Sequence, residues 1–288
     1  MKRVLVTGGQ GQLATCIRDI AGDYPYYDFT FIDLDELDIT DQMAVENYFD
    51  QNRMSVCVNC AAYTAVDKAE VENEMTEKVN VDGAKHLAEA CKAQNAVFIQ
   101  ISTDFVFDGN SSSPYTEKDK TNPLSVYGLT KLAGEVATAN ALDNHYILRT
   151  SWLYSEHGNN FLKTMLRLGA EREQLGVVFD QIGTPTYAGD LAQLVLKIIT
   201  EKVDAFGTYH FSNEGVASWY DFAKAIFDLS GTAVKLLPIK AEAYPTPARR
   251  PAFSVLDKSK IKAALNIEIP YWRDSLVTAL KKIEEGNH

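Results

Sequence analysis

The sequence predicts an α/β protein built on a Rossmann-type, doubly wound parallel sheet, with a smaller mixed α/β C-terminal domain. Short apolar runs alternate with longer stretches of helical periodicity over residues 1–150, which is typical of a parallel sheet covered by helices on both faces. A glycine-rich turn, Thr7–Ala14, joins the first run to the first helical stretch. Beyond residue 150 the alternation loosens and prolines cluster over 238–251, so we expect a separate domain with long loops there.

The individual elements follow from these runs in chain order. Short runs rich in Val, Ile and Phe predict strands at 4–6, 29–32, 56–58, 96–101 and 146–148. Periodic stretches between them predict helices at 11–21, 40–52, 76–93 and 125–141, and later ones at 159–170, 187–200, 218–229 and 273–285. Thr40 is the expected N-cap of the second helix.

Charge and hydropathy narrow the class of partner. Lys and Arg number 28 and Asp and Glu 39, giving a net charge of −11. This balance argues against nucleic-acid binding, because neutralising phosphates needs a basic face. No apolar run approaches the ~20 residues of a membrane span, and the apolar stretch at the N-terminus is too short for a secretion signal. We therefore expect a cytoplasmic protein without a nucleic-acid or membrane partner.

The cysteines include one C-x-x-C, formed by Cys57 and Cys60. A redox pair of this kind needs a helix start to lower a thiol pKa, and a zinc site needs further ligands. The surrounding Val-Cys-Val-Asn-Cys instead predicts a buried strand, on which residues three apart point to opposite faces. We expect free thiols, which suit the cytoplasm.

The segment Thr7–Ala14 has the features of a dinucleotide-binding turn. Gly8 permits the tight turn, Gly11 lets the backbone approach a pyrophosphate, and Ala14 is small enough for helix–strand packing. The helix start offers free N–H groups and the positive end of its dipole to the phosphates. A strand before the turn and a helix after it favour this interpretation over a purely structural loop.

The residue after the second strand bears on the choice of cofactor. Asp33 stands where a Rossmann fold places an acid on the adenosine ribose hydroxyls. A carboxylate there repels a 2′-phosphate, and residues 30–40 contain no Arg or Lys. We expect NADH or NADPH as cofactor, with a preference for NADH. The alternative is a solvated strand end beside Asp35 and Glu36.

These features predict a dinucleotide-binding domain at 1–149, with a return segment at about 176–205. They leave a substrate-binding domain at 150–175 and 206–288.

A candidate catalytic set lies within the first of these domains. Tyr127 and Lys131 are spaced i and i+4, so a helix presents them on one face. A free tyrosine has a pKa near ~10, and a nearby ammonium is expected to lower it. Thr103 ends the fourth strand, where ligands of open α/β sheets bind, and its hydroxyl can donate to a substrate carbonyl. The set is suited to carbonyl reduction, in which hydride goes to carbon and Tyr127 protonates oxygen.

Together these motifs resemble the extended short-chain dehydrogenase/reductase family over nearly the whole chain. The matching stretches are Gly8–Gln12, Asn59–Glu70, Ser102–Gly109, Pro123–Glu135, Arg149–Trp152, and Arg250–Pro251 with Ser254 and Leu256–Asp257. The first and fourth of these are shared broadly with sugar-nucleotide enzymes, whereas the second and third are more particular to reductases of 4-keto deoxysugar nucleotides. The resemblance implies NAD(P)H-dependent reduction of such a 4-keto group, foremost that of dTDP-4-dehydro-L-rhamnose.

The resemblance also implies roles for particular residues, with Thr103, Tyr127 and Lys131 as the catalytic set. The expected cofactor contacts, including those argued above, are Gly8, Gly11, Gln12, Leu13, Asp33, Asp38, Ile39, Ala62, Tyr63, Thr64, Tyr127 and Lys131. The expected substrate contacts are Thr103, Asp104, Phe107, Trp152 and Arg250. Trp152 is equally compatible with a core tryptophan. Arg249 and Arg250 are compatible either with diphosphate binding or with exposed charge beside Glu242.

The chain departs from the family pattern at two places. Phe253 stands where the Arg-Pro segment usually continues with Asn, which bears on the details of substrate binding. Some members join subunits through a metal held by a Glu on the first helix, but residues 11–21 contain no Glu. We predict no metal and either a monomer or a homodimer.

Rival functions remain open at this stage. Sugar-nucleotide dehydratases follow Thr-Asp with a Glu that helps to eliminate water, whereas this chain has Phe105, which cannot transfer a proton. An epimerase is harder to separate, because its cofactor stays bound and is regenerated. A non-enzymatic alternative is a binding partner like the regulatory subunit of methionine adenosyltransferase, which resembles the same reductases.

Overall fold

The computed structural model of this chain describes residues 1–201 and 205–286. The strands are β1 (Lys2–Thr7), β2 (Tyr27–Ile32), β3 (Val56–Asn59), β4 (Val97–Thr103), β5 (His145–Thr150), β6 (Leu153–Tyr154), β7 (Gln174–Val178), β8 (Ile182–Gly183), β9 (Thr186–Tyr187), β10 (Gly207–His210), β11 (Ala217–Ser218) and β12 (Lys235–Ile239). The helices are α1 (Gln12–Ala21), α2 (Gln42–Gln51), α3 (Val66–Ala69), α4 (Asn73–Glu77), α5 (Gly83–Gln94), α6 (Val126–Ala141), α7 (Phe161–Glu171), α8 (Ala188–Glu201), α9 (Trp219–Ser230), α10 (Ser259–Leu265) and α11 (Trp272–Gly286).

The main sheet is parallel and six-stranded, in the order β10-β5-β4-β3-β1-β2. The chain runs from β1 outward to β2 and then crosses to β3 on the other side of β1. Such a reversal opens a crevice at the carboxyl ends of the strands, where open α/β sheets bind ligands. The predicted Rossmann-type fold is confirmed.

Alternation along the strands builds a core on each face of this sheet. Val4 and Val6 point to the layer of α1 and α8, where they pack with Leu191 and other apolar side chains. Leu5, between them, points to the opposite layer of α2 and α5 and packs with Leu87. A parallel sheet buried on both faces requires this continuous apolar run.

A third core belongs to the later part of the chain. It is formed mainly by α7, α9 and α11, with Leu162, Phe222 and Leu276 fully buried. Three two-stranded pairings lie in this part, β7 with β12, β8 with β11 and β6 with β9. The expected mixed α/β character is therefore present.

Most predicted elements lie within a few residues of their expected positions, but the cap of α2 does not. Asp41, not Thr40, is the N-cap, and its carboxylate accepts a hydrogen bond from the Ala44 N–H at 3.1 Å. Thr40 instead hydrogen-bonds to Asp38 through its own N–H and hydroxyl. The prediction of Thr40 is wrong because the next residue, Asp41, is a stronger N-cap and directly precedes the first helical turn.

The helix expected at 76–93 is interrupted by a π-helical turn at Lys78–Asp82. The turn brings the buried Asn80 against two elements of the cleft described below. Its Oδ1 accepts from the Tyr63 N–H at 2.9 Å, and its Nδ2 donates to Thr130 Oγ1 at 3.2 Å. The π turn therefore ties α6 to the segment that follows β3.

One strand of the main sheet, β10, was not predicted, because its Gly-Thr-Tyr-His sequence forms no apolar run. It pairs with β5 in the main sheet, although its residues fall in the predicted substrate-binding segment 206–288. The division into domains stays a prediction, and its residues 202–204 and 287–288 lie outside the described part of the chain.

All four cysteines are free, with Cys57 buried in β3 and Cys60 just after it. Within the described ranges, no helix has the length and hydropathy needed to cross a bilayer.

Candidate active site

A cavity of about 830 Å³ lies at the carboxyl ends of the main-sheet strands. It extends from the glycine turn after β1 to the start of α9. The predicted site residues that line it are Gly8, Gly11, Gln12, Leu13, Asp33, Asp38, Ile39, Ala62, Thr64, Thr103, Asp104, Tyr127, Lys131, Trp152 and Arg250.

The glycine turn has the backbone that a pyrophosphate site requires. Gly8 has φ +64°, and a Cβ there would lie 2.7 Å from the Ala61 nitrogen. Gly11 is the N-cap of α1 and brings no side chain to the first turn, so the N–H groups at the helix start face the cavity uncapped. The arrangement fits the phosphates of a dinucleotide.

Asp33 is held firmly at the end of the cavity next to β2. Its Oδ2 accepts a hydrogen bond from the Gln10 N–H at 2.8 Å, and its Oδ1 accepts from the Leu34 N–H at 2.9 Å. The carboxylate is thereby fixed beside the glycine turn. A carboxylate in this position is suited to accept hydrogen bonds from ribose hydroxyls.

Thr103, Tyr127 and Lys131 line the same cavity as the glycine turn. Thr103 is the last residue of β4, and α6 carries Tyr127 in its first turn and Lys131 one turn later. Gly128 lets α6 approach this closely, since a Cβ on it would lie 2.3 Å from the Phe105 carbonyl oxygen. The Ser125 side chain caps the helix by accepting from the Gly128 N–H at 3.2 Å.

Burial dominates the acid–base properties of this set. It raises the pKa of Tyr127 to about 12, although a hydrogen bond with Thr103 acts in the opposite direction. It lowers the pKa of Lys131 to about 8, and the ammonium donates to the Ile101 carbonyl oxygen at 2.7 Å. The expectation that Lys131 lowers the pKa of Tyr127 below its usual value is wrong for the free protein, because desolvation of the phenolate outweighs the stabilising groups. At neutral pH Tyr127 is a phenol and Lys131 an ammonium.

Asp104 follows Thr103 into the cavity and is itself buried. Thr103 Oγ1 donates to its Oδ1 at 3.1 Å, whereas Oδ2 has no hydrogen-bond partner among the described residues. Burial raises the pKa of this carboxyl to about 6, against hydrogen bonds from Ser254 and Thr103. A buried acceptor without a partner, on a residue that lines the cavity, is suited to a ligand hydroxyl.

A buried ion pair between Glu135 and Arg149, which was not predicted from the sequence, lies next to the catalytic set. Glu135, one turn after Lys131 on α6, accepts from Arg149 Nη2 at 2.7 Å and Nε at 2.9 Å, and also from the Ser102 hydroxyl. His210 lies against Arg149, and burial followed by the guanidinium charge lowers its pKa to about 3. Both members of the pair lie in stretches that carried the family resemblance, but no spacing in the sequence indicates their contact.

The wall of the cavity beyond Asp104 is aromatic and basic. Trp152 stacks on Trp219, which the sequence analysis did not identify, and both line the cavity. Arg250 is held by the Asp67 carboxylate, with Nη1 to Oδ1 at 3.1 Å and Nη2 to Oδ2 at 2.8 Å. Trp152 and Arg250 thus belong to the cavity and not to the core or the open surface.

Two predicted residues do not line the cavity. Phe107 is fully buried and stacks on Tyr115, with ring centroids 4.2 Å apart. The Tyr63 hydroxyl hydrogen-bonds to Glu72. The resemblance placed both in the right stretches, but each side chain points away because it has a partner outside the cavity.

One group of possible metal ligands occurs within the described ranges, at Cys16, Glu156 and His157, whose ligand atoms lie within 4.8 Å of one another. Lys282 Nζ lies 3.0 Å from Glu156 Oε1, and His157 Nε2 lies 2.6 Å from Asp19 Oδ2. These partners already satisfy part of the group, and the absence of a metal stays a prediction.

Proteins of one family resemble this chain over nearly its whole length. The family described as the RmlD substrate binding domain matches residues 1–285. The dTDP-4-dehydrorhamnose reductase of Aggregatibacter actinomycetemcomitans is 44% identical over 287 residues, covering 96% of this chain and 97% of the relative. The crystal structure of a dTDP-4-dehydrorhamnose reductase from Clostridium acetobutylicum superposes with a TM-score of 0.94 at 42% identity, over 98% of this chain and 99% of the other. The enzyme from Bacillus anthracis, solved in complex with NADP, has a TM-score of 0.94 at 38% identity, over 98% and 100% of the two chains.

Proposed function

The chain belongs to the dTDP-4-dehydrorhamnose reductase family, and on that premise we propose that it reduces dTDP-4-dehydro-L-rhamnose to dTDP-L-rhamnose with a nicotinamide cofactor. The observation that carries the proposal is the convergence of Thr103, Tyr127 and Lys131 on the cavity that also contains the glycine turn. A phenol, an ammonium and a hydroxyl are the groups that carbonyl reduction needs beside a dinucleotide.

In the proposed mechanism the glycine turn and Lys131 would hold a nicotinamide cofactor, which would supply the hydride for the C4 carbon. Tyr127, a neutral phenol whose pKa burial raises to about 12, gives its proton to the C4 oxygen. On substrate binding the Thr103 hydroxyl turns from Asp104, to which it donates in the free protein, to donate to the same C4 oxygen, and it holds the carbonyl for attack. The Lys131 ammonium, on the same face of α6, stabilises the phenolate that remains.

The charge on Lys131 matters most at the moment of proton transfer. A phenolate forming in a buried site is costly without a nearby cation, and a pKa near 12 measures that cost in the free protein. Substrate binding excludes water and strengthens the attraction between the ammonium and the developing phenolate. The ammonium is therefore assigned to stabilise the transition state and not the resting phenol.

Asp33 supports a preference for NADH over NADPH. Its carboxylate is fixed by two backbone N–H groups, so it cannot swing aside without losing both hydrogen bonds. A 2′-phosphate brought next to it meets like-charge repulsion, whereas a ribose hydroxyl gains an acceptor.

At the substrate end, Asp104 and Trp152 are proposed to contact the sugar, and Arg250 the diphosphate. Asp104 lines the cavity, and its Oδ2 has no hydrogen-bond partner among the described residues. The Arg250 guanidinium is pre-oriented by Asp67, which lowers the entropy cost of binding an anion.

We further propose that the enzyme acts in the cytoplasm as a monomer or homodimer. Analytical ultracentrifugation would distinguish the two oligomeric states.

The test is consumption of NADH, followed at 340 nm, with the 4-keto sugar nucleotide as substrate. The proposal requires one NADH oxidised per sugar nucleotide reduced, and production of dTDP-L-rhamnose. An epimerase would interconvert sugar nucleotides without net NADH consumption. A regulatory binding partner would give no turnover of this substrate, and either of these results would refute the proposal.

A further inference from the structure

The backbone of Trp152 is in the left-handed region, with φ +46°. The other non-glycine residues with positive φ in the described part of the chain are Asn95 and Asn266, and each is the C-cap of a helix, where Asn is commonly found. A bulky tryptophan in this region is strained, and such residues persist only where the surroundings hold them.

The surroundings of Trp152 hold it from more than one direction. Its indole stacks on that of Trp219, with centroids 3.6 Å apart and an angle of 8° between the planes. Gly183 lies against the same indole, and a Cβ there would come within 2.7 Å of it. The Trp152 ring is therefore fixed by one large neighbour and by one residue that has to be small.

Trp219 is itself well anchored. It is the first residue of α9, whose start is fixed by a capping box between Ser218 and Asp221. The ring of Phe161 lies 4.7 Å from that of Trp219, and Phe161 stacks on Phe222, which is fully buried. The position of Trp219 is thus set by the core of the later part of the chain.

The stacked pair lies next to the proposed reaction centre. Thr150, at the end of β5, is paired with Thr103 in the sheet register, and Trp152 follows two residues later. Both indoles line the cavity. A 6-deoxyhexose has an apolar C–H face and a methyl group, which suit packing against a flat aromatic surface.

We propose that Trp219 is a positioning residue for the sugar nucleotide. By stacking on the Trp152 indole it holds residue 152 in its strained backbone conformation, so that the indole forms a fixed wall for the deoxysugar. This inference rests on the proposed function. Trp219 acts through Trp152, so its loss weakens binding of the sugar nucleotide without disturbing the cofactor end of the cavity.

The first test compares Trp219→Leu, Trp219→Phe and the wild type in steady-state kinetics. We expect Trp219→Leu to raise KM for the sugar nucleotide by about tenfold, with kcat within about twofold and the Kd for NADH unchanged. Trp219→Phe keeps a ring that can stack on Trp152, so its KM for the sugar nucleotide should lie close to the wild-type value. Tyr220→Leu is the matched control, since Tyr220 follows Trp219 on α9 and packs against the same core without lining the cavity, and its KM should equal that of the wild type.

A double-mutant cycle separates positioning from direct contact. If Trp219 acts through Trp152, the variant carrying both Trp152→Leu and Trp219→Leu has the same KM as Trp152→Leu alone. Additive effects on KM, an unchanged KM in Trp219→Leu, or failure of Trp219→Phe to restore it would each overturn the inference.

Fluorescence gives an independent measure of the pair. The chain has three tryptophans, so in a Trp272→Phe background the emission comes from Trp152 and Trp219 alone. Titration with dTDP-L-rhamnose should change this emission, and Trp219→Leu in the same background should weaken the apparent affinity by the factor seen in KM. A wild-type protein that turns over the substrate while Trp219→Leu keeps its affinity refutes only this inference. A wild-type protein without turnover, together with no emission change in the Trp272→Phe background, refutes the proposed function.

Discussion

Replacing Lys131 by methionine should make the free protein more stable while abolishing its activity. Lys131 is 4% exposed, and burial lowers its pKa from 10.5 to about 8. At about 1.36 kcal/mol per pH unit, that difference means that keeping the ammonium charged at neutral pH costs the folded state about 3 kcal/mol. Methionine has a similar length and no charge to bury.

The groups that Lys131 contacts keep other partners in this variant. The Ile101 carbonyl oxygen also accepts from Gln100 Nε2 at 3.1 Å, and Glu135 keeps its hydrogen bonds to Arg149. The loss is then one hydrogen bond, about 1 kcal/mol net. The expected gain in the free energy of unfolding is about 2 kcal/mol at pH 7.

The pH dependence identifies the cause. Below about pH 8 the lysine is protonated in both the folded and the unfolded wild type, so the full cost persists. Between about pH 8 and pH 10.5 only the unfolded state keeps the proton, so wild-type stability rises with pH and approaches that of the variant. The gain should shrink by about 2 kcal/mol between pH 7 and pH 9.5.

Urea unfolding of the apo proteins at the two pH values measures this gain, with Lys281→Met as a control, because Lys281 is exposed. The control should match the wild type at both. A Lys131→Met protein that is no more stable than the wild type at pH 7 would refute the reasoning about burial. A gain of equal size at both pH values would show that packing, and not charge, is responsible.

Three further predictions concern activity. Tyr127→Phe should fold and bind NADH normally but lose about 10²-fold or more in kcat, because the proton donor is missing; near-normal turnover would remove Tyr127 from its role. Asp33→Ala should narrow the preference for NADH over NADPH, measured as the ratio of the two kcat/KM values, and an unchanged ratio would show that Asp33 does not contact the ribose. The kcat/KM of the wild type should fall as pH rises through about 8, where the free enzyme loses the Lys131 proton; a profile flat to pH 10 would contradict this.

Features encoded locally could be predicted from the sequence. The turn at Gly8 and Gly11 depends only on neighbouring residues, and the i,i+4 spacing of Tyr127 and Lys131 sets their common face once a helix forms. Thr103 required one more step, that the carboxyl ends of parallel strands meet at one edge of the sheet. Each of these inferences uses backbone geometry that the residue pattern determines.

Features that depend on distant packing could not be predicted. Trp219 reaches the cavity because α9 packs in a separate core, and nothing in its local sequence distinguishes it from a core tryptophan. Phe107 lies in a stretch that carries the family resemblance, yet its ring stacks on Tyr115 and does not line the cavity. The acid–base balance at Tyr127 also depends on total burial, which residue spacing does not reveal.

The ion pair below the site explains how a buried ammonium is retained there. Glu135 raises the pKa of Lys131 against the effect of burial, but a buried carboxylate beside a single lysine would hold it in a fixed salt bridge. Arg149 instead donates to both oxygens of Glu135, through Nε to Oε1 and through Nη2 to Oε2. Lys131 therefore experiences the negative charge of Glu135 without forming a salt bridge to it, and its ammonium donates to the Ile101 carbonyl. The result is a buried lysine with a pKa of about 8, which is still an ammonium at neutral pH and whose charge can stabilise a forming phenolate.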